Sequence, residues 1–434
     1  MRIAVVGTGI SGLVAARELA RTHDVDVFEA ADRIGGHTNT VIVDDPDVGQ
    51  LPVDTGFIVF NDKTYPNFCR LLDQLGVAAK DSDMSFSVRN ERTGLEYNGT
   101  SLNQLFAQRI NLLRPRFLRM VQQIMRFYRE APELLAAGDE SLTLGDYLER
   151  GGYGKTFIEE HLMPMGAAVW SATPEVMREF PLVFLLRFFH NHGFLQVEGR
   201  PQWRVLRGGS SSYLEPLTES YRDRIRTSTP VVQVTREESS EGRLVRLRTK
   251  GGEEQLYDRV VLACHSDQAL RMLADARPLE REVLGAFEYQ PNEAALHTDE
   301  ALMPRRQLAW ASWNYHVTDP PSQLSTVTYW MNMLQGLDAP TNYFVTLNRT
   351  ADVDPSKLLK VIDYHHPIFT RAAVAAQKRH AEVDGSAGVH FCGAYWSYGF
   401  HEDGVRSGLA VARNLSRELG APLPDLLEVE EARS

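Results

Sequence analysis

The first twenty residues, MRIAVVGTGISGLVAARELA, constrain the fold of this chain more than any other segment. The apolar run at its start predicts a short buried strand, and the small and apolar residues of its second half predict a helix. Between them, Gly7, Gly9 and Gly12 form the pattern G-x-G-x-x-G, which permits a tight turn and a close approach to a pyrophosphate. With Ile10 and Ser11 opening the helix, whose unpaired N–H groups face the phosphates, the segment predicts a dinucleotide-binding unit.

The next predicted strand, DVDVFEA, ends in an acid at the position that binds ribose in such units. We expect the carboxylate of Glu29, with Ala30 beside it, to accept hydrogen bonds from the ribose hydroxyls. The nucleotide is therefore expected to carry an unphosphorylated ribose. These features by themselves are compatible with both NAD and FAD.

The segment after this acid resembles the extended FAD fingerprint of the flavin amine oxidase superfamily, which includes monoamine and polyamine oxidases, protoporphyrinogen oxidase and the phytoene desaturases. EAADRIGGHTNT supplies Arg33, the pair Gly35 and Gly36, and then His37, where the superfamily often has arginine. A simple NAD-binding unit needs no second glycine pair, whereas an extended FAD needs close backbone approach twice. The resemblance therefore implies FAD, held without a covalent bond.

Two further regions resemble landmarks of the same superfamily. VDTGFIVFN is similar to the segment that runs along the isoalloxazine edge, with Gly56, Phe57 and Ile58 at the matching positions. RGGSSSYLEPL and TPVVQV resemble the middle landmarks. The resemblance implies that Val232 holds the adenine through backbone contacts.

The segment GVHFCGAYWSYGFHEDGVRSGLAVARNL is similar to the C-terminal flavin motif of the superfamily. It predicts a strand, a loop and a helix that begins near Gly404, and the partial positive charge of such a helix end stabilises negative charge on a reduced flavin. The resemblance assigns Gly393, Gly404 and Val405 to the flavin site. Ala394 stands where the superfamily usually has an acid, and Asp403 is the candidate to replace that contact.

The resemblance runs in order along nearly the whole chain and implies an α/β fold, α+β overall. The expected architecture is a Rossmann-type FAD-binding domain of the glutathione-reductase or amine-oxidase type, with an inserted substrate domain of helices and a mixed or antiparallel sheet. Hydrophobic periodicity supports this division, because the first insertion is helical in pattern and the second alternates like strands. We predict an FAD-binding domain at 1–80, 205–280 and 385–420, a substrate-binding domain at 81–204 and 281–384, and a tail at 421–434.

Composition excludes several classes of function. A formal net charge of −11 argues against a general nucleic-acid-binding protein. Cys69, Cys264 and Cys392 show neither metal-ligand spacing nor a disulfide framework, and the pairs HNH and HH lack a third ligand, so no metal site is predicted. Because the chain enters a strand at once and has no apolar run of about 20 residues, we expect a cytoplasmic protein without a signal peptide or a membrane span.

The resemblance implies hydride transfer from a substrate C–H bond to flavin N5, and it leaves two substrate classes open. An amine oxidase usually has an aromatic pair that orients the neutral amine, for which Tyr395, Trp396 and Tyr398 are candidates. These enzymes also tend to place a lysine near the flavin, whereas the comparable segment here, NEAALHTDEALMPRRQ, offers His297 instead. His401 is a further candidate for proton transfer.

The missing lysine and the apolar insertions favour an apolar substrate, such as a modified fatty acyl lipid or an isoprenoid, and hence a desaturase or dehydrogenase. FLQVEGRPQWRVLRGGSSSYLEPL and YGFHEDG resemble a bacterial branch of flavoproteins associated with cyclopropane-fatty-acid-synthase-like methyltransferases, which implies lipid metabolism. An amine oxidase is the alternative. A non-catalytic flavin-binding redox partner and a flavin-dependent isomerase are further alternatives.

One basic and apolar segment bears on where the substrate is met. RINLLRPRFLRMVQQIMRFYRE contains six arginines, all within residues 109–129, and no acid before Glu130. Such a composition is typical of a helix that lies against anionic lipid headgroups, and it predicts peripheral contact with the inner face of the membrane. A core helix with a solvated arginine face is the alternative interpretation.

Overall fold

The computed structural model describes residues 1–239 and 242–422, so residues 423–434 of the predicted tail lie outside the described residues. In chain order the strands are β1 (Arg2–Val6), β2 (Asp24–Phe28), β3 (Thr40–Asp45), β4 (Gly49–Asp54), β5 (Phe60–Asn61), β6 (Ala79–Asp81), β7 (Phe86–Asn90), β8 (Leu95–Asn98), β9 (Trp203–Leu206), β10 (Ile225–Arg226), β11 (Val231–Ser239), β12 (Gly242–Thr249), β13 (Glu254–Tyr257), β14 (Arg259–Leu262), β15 (Glu288–His297), β16 (Trp313–Val317), β17 (Val327–Trp330), β18 (Phe344–Leu347), β19 (Leu358–Ile368) and β20 (Val389–Phe391). The α-helices are α1 (Ile10–Leu19), α2 (Pro66–Leu75), α3 (Leu102–Leu105), α4 (Pro115–Ala137), α5 (Leu144–Arg150), α6 (Lys155–Phe157), α7 (Met163–Trp170), α8 (Pro174–Arg178), α9 (Leu182–Asn191), α10 (Leu214–Thr218), α11 (Ser266–Met272), α12 (Pro278–Leu284), α13 (Met331–Leu334), α14 (Arg371–Gln377), α15 (His380–Val383) and α16 (His401–Glu418).

A five-stranded parallel sheet carries both ends of the chain, in the order β10-β2-β1-β14-β20. Val6 at the end of β1 lies opposite Phe28 of β2 and Leu262 of β14. Because the carboxyl ends of parallel strands meet at one edge of a sheet, the residues that follow these strands, including Gly7 and Glu29, are brought side by side. The N-terminal and C-terminal motifs therefore share one edge, as the sequence predicts.

A second, seven-stranded sheet has the order β19-β15-β18-β17-β16-β7-β8. Its neighbouring strands run antiparallel except for β16 and β7, which are parallel. This is the mixed sheet expected for the substrate half of the chain. Smaller sheets, β11-β12-β13, β3-β4 and β5-β9-β6, complete the sheet structure of the described residues.

The largest apolar core lies between the seven-stranded sheet and the helices from α4 to α9. The segment LVFLLRFFHN of α9 is apolar on nearly all sides, and Phe188 and Phe189 are each only 1% exposed. Burying a side chain of this size contributes about 1.5–3 kcal/mol, so α9 is held firmly in the core. It consequently forms a rigid wall for the cavity described below.

The basic segment at 109–129 is not one continuous helix. Arg109–Leu113 forms a 3-10 turn, and α4 begins at Pro115. Proline disfavours helical geometry in the residue before it and is well suited to the first position of a helix, so the chain breaks at Arg114 and restarts. Among the described residues, no helix is long and apolar enough to cross a bilayer.

Candidate active site

A cavity of about 740 Å³ is lined by residues of both main sheets, and we call it the central cavity. One part of its lining comes from the edge of the parallel sheet and consists largely of glycines and small side chains. The other part comes from the substrate half and is mainly aromatic. A glycine-lined end allows close backbone approach to a ligand, whereas an aromatic end excludes water.

The N-terminal glycine loop lines the central cavity through Gly7, Gly9, Ile10 and Ser11. Gly12 lies outside the lining, and a Cβ atom there would come within 2.1 Å of the Gly7 carbonyl oxygen. Its role is therefore to let α1 pack closely onto the end of β1. At Gly9, by contrast, a Cβ would meet no atom within 4 Å, so this backbone faces open space in the cavity.

Glu29 lies at the carboxyl end of β2 and lines the cavity together with Ala30. One carboxylate oxygen accepts a hydrogen bond from the Thr8 N–H at 2.9 Å, and the other accepts one from the Ala31 N–H at 2.9 Å. These bonds hold the carboxylate at the sheet edge. Val232 on β11 also lines the cavity.

The second glycine pair lies where two loops meet. Gly36 has φ +59°, and a Cβ there would stand 3.1 Å from the Gly9 Cα, so the position favours glycine. Gly35 and Gly36 both line the cavity, but Arg33 does not. The Arg33 guanidinium instead donates to the carbonyl oxygens of Gly36 at 2.8 Å and Thr38 at 3.0 Å, so its role is to brace the loop.

His37 is the centre of a group of aromatic side chains that come from distant segments of the chain. Its ring centroid lies 5.0 Å from Tyr364, 5.3 Å from His366 and 6.3 Å from His265, and all four residues line the cavity. Burial, reinforced by His366 and His265, holds the pKa of His37 well below its usual value. Burial also lowers the pKa of His265 and of His366 to about 4, so these two imidazoles are neutral near pH 7.

The Nε2 atom of His37 is buried and has no hydrogen-bond partner among the described residues. A buried polar atom without a partner is rare in proteins and points to a missing ligand or water. His37 occupies the position at which the superfamily often has arginine, so a neutral ring nitrogen replaces a fixed charge there. Within residues 1–239 and 242–422, no three His, Cys, Asp or Glu side chains are arranged to hold a metal ion.

The segment at 56–58 lines the cavity through Gly56, Phe57 and Ile58. The Phe57 ring stacks on the imidazole of His401, with centroids 3.6 Å apart and planes inclined by 5°. The His401 Nε2 atom lies 2.9 Å from the Tyr213 hydroxyl, and burial lowers its pKa to about 3. His401 is thus a weak proton acceptor, and its contacts position Phe57 and the start of α16.

Helix α16 begins at His401, three residues earlier than the expected start near Gly404. The Asp403 carboxylate accepts a hydrogen bond from the Phe400 N–H at 2.9 Å and so caps the helix. Asp403, Gly404 and Val405 lie outside the cavity lining, whereas His401 and the preceding loop lie within it. The helix end faces the cavity, but these three residues support it from behind.

The aromatic run after Gly393 divides between the cavity and the core. Tyr395 and Tyr398 line the cavity, as does Gly393, but Trp396 does not. The Trp396 ring packs against Phe287 at 5.2 Å and is inclined by 38° to Tyr395. Tyr395 and Trp396 therefore do not form a parallel pair facing the cavity, because the Trp396 indole packs into a neighbouring apolar core.

His297 also lies away from the central cavity. It ends β15, where its Nδ1 atom accepts a hydrogen bond from the Asp299 N–H at 3.0 Å and its Nε2 atom lies 2.7 Å from the Thr346 hydroxyl. Both ring nitrogens are thus engaged within the seven-stranded sheet. The structure does not bring His297 to the flavin motifs, since the strand register turns it towards β18.

The aromatic wall of the cavity was not predicted residue by residue. It includes Trp170, Phe188, Trp313, Tyr329, Phe369 and Phe400. The Trp170 indole N–H donates to the Tyr398 carbonyl oxygen at 3.3 Å, which ties α7 to the loop before α16. Among the described residues that line the cavity there is no lysine, and the one acid is Glu29 at the opposite end.

The glycine-lined end fits FAD. The open backbone at Gly9 and the unsatisfied His37 nitrogen suit the pyrophosphate, Glu29 suits a ribose and Val232 the adenine. Gly56, Phe57 and Ile58, with the amino end of α16, would hold the flavin ring system.

Of the cavity residues that the sequence did not predict, His265 could have been anticipated because it follows a strand of the parallel sheet. The residues of the aromatic wall carry no such signal in the sequence.

Comparison with solved structures supports this architecture. The chain matches cyclohexylamine oxidase from Brevibacterium oxydans IH-35A with a TM-score of 0.70 at 16% identity, covering 96% of this chain and 99% of that one. It matches a CLA-producing fatty acid isomerase from P. acnes with a TM-score of 0.65 at 15% identity, covering 96% and 98%. At such low identity these similarities establish the fold.

Curated relatives match only over short segments. A flavin-containing monooxygenase of Arabidopsis thaliana is 35% identical over 89 residues, which are 19% of this chain and 17% of the relative. Tryptophan 2-monooxygenase of Pantoea agglomerans pv. gypsophilae is 41% identical over 61 residues, or 14% of this chain and 11% of the relative.

The family model is the broadest sequence match. The model described as flavin containing amine oxidoreductase matches residues 10–362. The match begins at Ile10, directly after the first two glycines of the N-terminal loop, and ends within β19. It therefore includes Glu29, the second glycine pair and much of the substrate half. The predicted superfamily and the predicted cofactor are thereby confirmed. The chain belongs to the flavin-containing amine oxidoreductases and is an FAD-dependent oxidoreductase.

Proposed function

We propose that the protein is a dehydrogenase or desaturase of a long apolar substrate, such as a modified fatty acyl lipid or an isoprenoid. FAD, when bound, supplies the acceptor for a hydride taken from a C–H bond of the substrate. The protein's own contribution is to bind the chain, orient it and exclude water. An FAD-dependent amine oxidase is the alternative.

The composition of the aromatic wall is the observation that carries this proposal. Among the described residues that line the central cavity, none is a lysine, and the one acid, Glu29, belongs to the glycine-lined end rather than to the aromatic wall. Aromatic and aliphatic side chains favour an apolar ligand, because each buried CH₂ group contributes about 0.8 kcal/mol. The wall therefore suits a hydrocarbon better than an amine.

The contacts of the wall indicate how it would orient a chain. Phe188 packs against Trp170 at 4.7 Å and against Phe400 at 4.8 Å, so α7, α9 and the start of α16 form one rigid surface. Phe184 packs on Tyr398 at 4.6 Å behind this surface. Because these rings support one another, a bound chain is restricted to the open channel beside them.

An anaerobic visible spectrum of the purified holoprotein tests the proposal. We expect a bacterial lipid extract to bleach the oxidised-flavin band and a panel of amines to leave it unchanged. Bleaching by amines alone would overturn the proposal in favour of an amine oxidase. A flavin that photoreduces but responds to neither would favour a non-catalytic role, and lipid turnover without net bleaching would favour an isomerase.

Two matched variants test whether the aromatic wall is responsible for bleaching by lipid. Phe194→Glu introduces a charge into the cavity lining, whereas Val197→Glu changes a neighbouring side chain that is 63% exposed and outside the lining. We expect Phe194→Glu to abolish bleaching by lipid and Val197→Glu to preserve it, with flavin content equal in both. Equal loss or equal retention would show that the wall does not select the substrate.

We further propose that a surface at residues 102–119, the arginine–leucine surface, contacts an anionic bilayer. Leu102 and Leu113 are 77% and 79% exposed, and Ile110 and Leu112 are also exposed. Arginines on the same segment, Arg109, Arg114 and Arg119, make no ion pair with any described residue, whereas Arg116 pairs with Glu160. Unpaired basic groups beside exposed apolar ones complement anionic headgroups and acyl chains.

Vesicle flotation tests this surface. We expect the protein to float with phosphatidylglycerol-containing vesicles and to remain unbound with phosphatidylcholine alone, because the arginines require negative charge. Leu113→Glu should reduce flotation several-fold, whereas Leu359→Glu, at a side chain 46% exposed on β19, should not. Flotation that is independent of anionic lipid would refute the membrane contact.

A further inference from the structure

A second, smaller cavity adjoins the aromatic wall. It has a volume of about 70 Å³ and shares Met84, Val169, Phe194 and Trp313 with the lining of the central cavity. Four shared side chains mean that the two spaces are separated by single residues rather than by a layer of backbone. A substrate chain in the central cavity can therefore approach the small cavity through a shift of these side chains.

The outer part of the small cavity is polar. Tyr128 of α4, His161 and Arg200 contribute to its lining, and Arg200 is exposed to solvent. Among the described residues, no acid and no lysine line this cavity, so Arg200 is its one permanently charged group. A single cation at the outer end of an otherwise apolar space provides an electrostatic preference for an anion.

Two donors of this cavity, the guanidinium of Arg200 and the hydroxyl of Tyr128, remain available for a ligand. Arg200 Nε donates to the Gln196 carbonyl oxygen at 3.0 Å, and no described carboxylate pairs with the guanidinium. The Tyr128 hydroxyl makes no hydrogen bond with any described residue, although the side chain is largely enclosed. The hydroxyl can therefore donate a hydrogen bond to a ligand oxygen without breaking a bond to another described residue.

The electrostatics agree with this geometry. Burial raises the pKa of Tyr128, and the nearby Arg200 charge opposes that rise. Burial and then Arg200 lower the pKa of His161 to about 3, so this imidazole stays neutral and adds no competing charge. The His161 Nδ1 atom lies 3.0 Å from the Tyr97 hydroxyl, which holds the ring in place.

We infer that the small cavity is a headgroup site, in which Arg200 and Tyr128 bind the carboxylate of a fatty-acid-like substrate whose chain extends into the central cavity. The inference rests on the proposed function, because it names the polar end of the same apolar substrate. A guanidinium offers two parallel N–H groups that match a carboxylate, and the tyrosine hydroxyl adds a third donor. Arg200 would repel an ammonium, and 70 Å³ leaves little space for a larger phosphate-based headgroup.

Binding of ten-carbon probes tests the site without requiring turnover. Decanoate, methyl decanoate and decylamine are titrated into the oxidised holoprotein, and Kd is measured by calorimetry. We expect decanoate to bind about tenfold or more tightly than either other probe, because only it pairs with Arg200. Arg200→Gln should weaken decanoate binding by about tenfold and leave methyl decanoate unchanged, and Tyr128→Phe should weaken decanoate binding to a smaller extent.

Arg150→Gln is the matched control, because Arg150 is an exposed arginine on α5 that lines neither cavity. Equal decanoate affinity in the wild type and Arg200→Gln, or equal affinity for decanoate and its methyl ester, would overturn the inference. Flavin content and the melting temperature of each variant verify folding. Arg200-dependent binding of decanoate without flavin bleaching by any lipid would leave the headgroup site standing and refute the proposed reaction, so the two failures are distinguishable.

Discussion

Single buried histidines make the stability of the folded protein depend on pH. At His297, burial lowers the pKa to about 4, against an ordinary value near 6.5. The unfolded chain therefore binds a proton between these values while the folded protein does not. The resulting contribution to stability is fully present above pH 6.5 and is lost as the pH falls towards 4.

Replacing His297 by Gln should consequently flatten the pH dependence of stability. Between pH 7 and pH 5 the wild type should lose about 2 kcal/mol of its free energy of unfolding through this group, and the variant should be spared that loss. Urea unfolding at the two pH values measures the difference. If the pH dependence of the free energy of unfolding is the same in the wild type and in His297→Gln, the role assigned to burial of His297 is contradicted. His37 lines the cavity, so a substitution there is not a suitable control.

At the scale of elements, the contact between α1 and α16 joins the two ends of the chain. A Cβ atom at Gly408 would lie 2.4 Å from the Ser11 carbonyl oxygen, and one at Gly404 would lie 2.5 Å from the Ile10 side chain. The two helices are therefore packed closely at glycines, with Gly408 against the backbone of α1 and Gly404 against the Ile10 side chain. Since Ile10 and Ser11 line the central cavity, their spacing from α16 bears on cofactor binding.

Gly408→Ala should separate α1 from α16, because its new methyl group would meet backbone that cannot rotate away. Overpacking of this kind costs about 1–3 kcal/mol, and we expect a lower flavin-to-protein ratio as well as a lower free energy of unfolding. Absorbance and denaturant unfolding measure the two quantities. Gly251→Ala, whose Cβ would be 3.8 Å from the nearest atom, should change neither; an equal effect of both substitutions would exclude the helix contact as the cause.

At the scale of the whole molecule, the central cavity draws on the N-terminal loop, β11, the end of β14 and the loop before α16. A dinucleotide bound there would connect segments that are distant in the chain. FAD at one hundred times its Kd should therefore stabilise the folded protein by about 2.7 kcal/mol through mass action. The adenine half of FAD would then contact Glu29 and Val232.

Thermal unfolding of the apoprotein with added nucleotides tests whether the adenine half and the flavin half of FAD contact different parts of the cavity. We expect FAD to raise Tm more than FMN, which lacks the adenine half, and more than NAD, which lacks the flavin. Glu29→Gln should reduce the FAD effect while leaving the FMN effect unchanged, because the carboxylate lies at the ribose end. Equal stabilisation by FAD and FMN would contradict the assignment of Glu29 and Val232.

The sequence by itself determined the FAD-binding end of this protein. Gly7, Gly9 and Glu29 line one cavity, and their proximity follows from a strand, a turn and a helix that succeed one another within thirty residues. Local geometry is then sufficient to place these residues, because hydrogen bonds within and between consecutive elements allow few alternative arrangements. The resemblance at the C-terminus added Gly393, which lines the same cavity, and a helix that begins at His401 rather than near Gly404.

Only the tertiary structure decided the remainder of the site. Tyr364 and His366 reach His37 from β19, and no pattern within that segment indicates the meeting. The same folding turns His297 into the seven-stranded sheet and buries Trp396 beside Phe287. Which face of a strand meets a cavity depends on register and on packing against distant elements, and these are set by the burial of the whole chain rather than by local sequence.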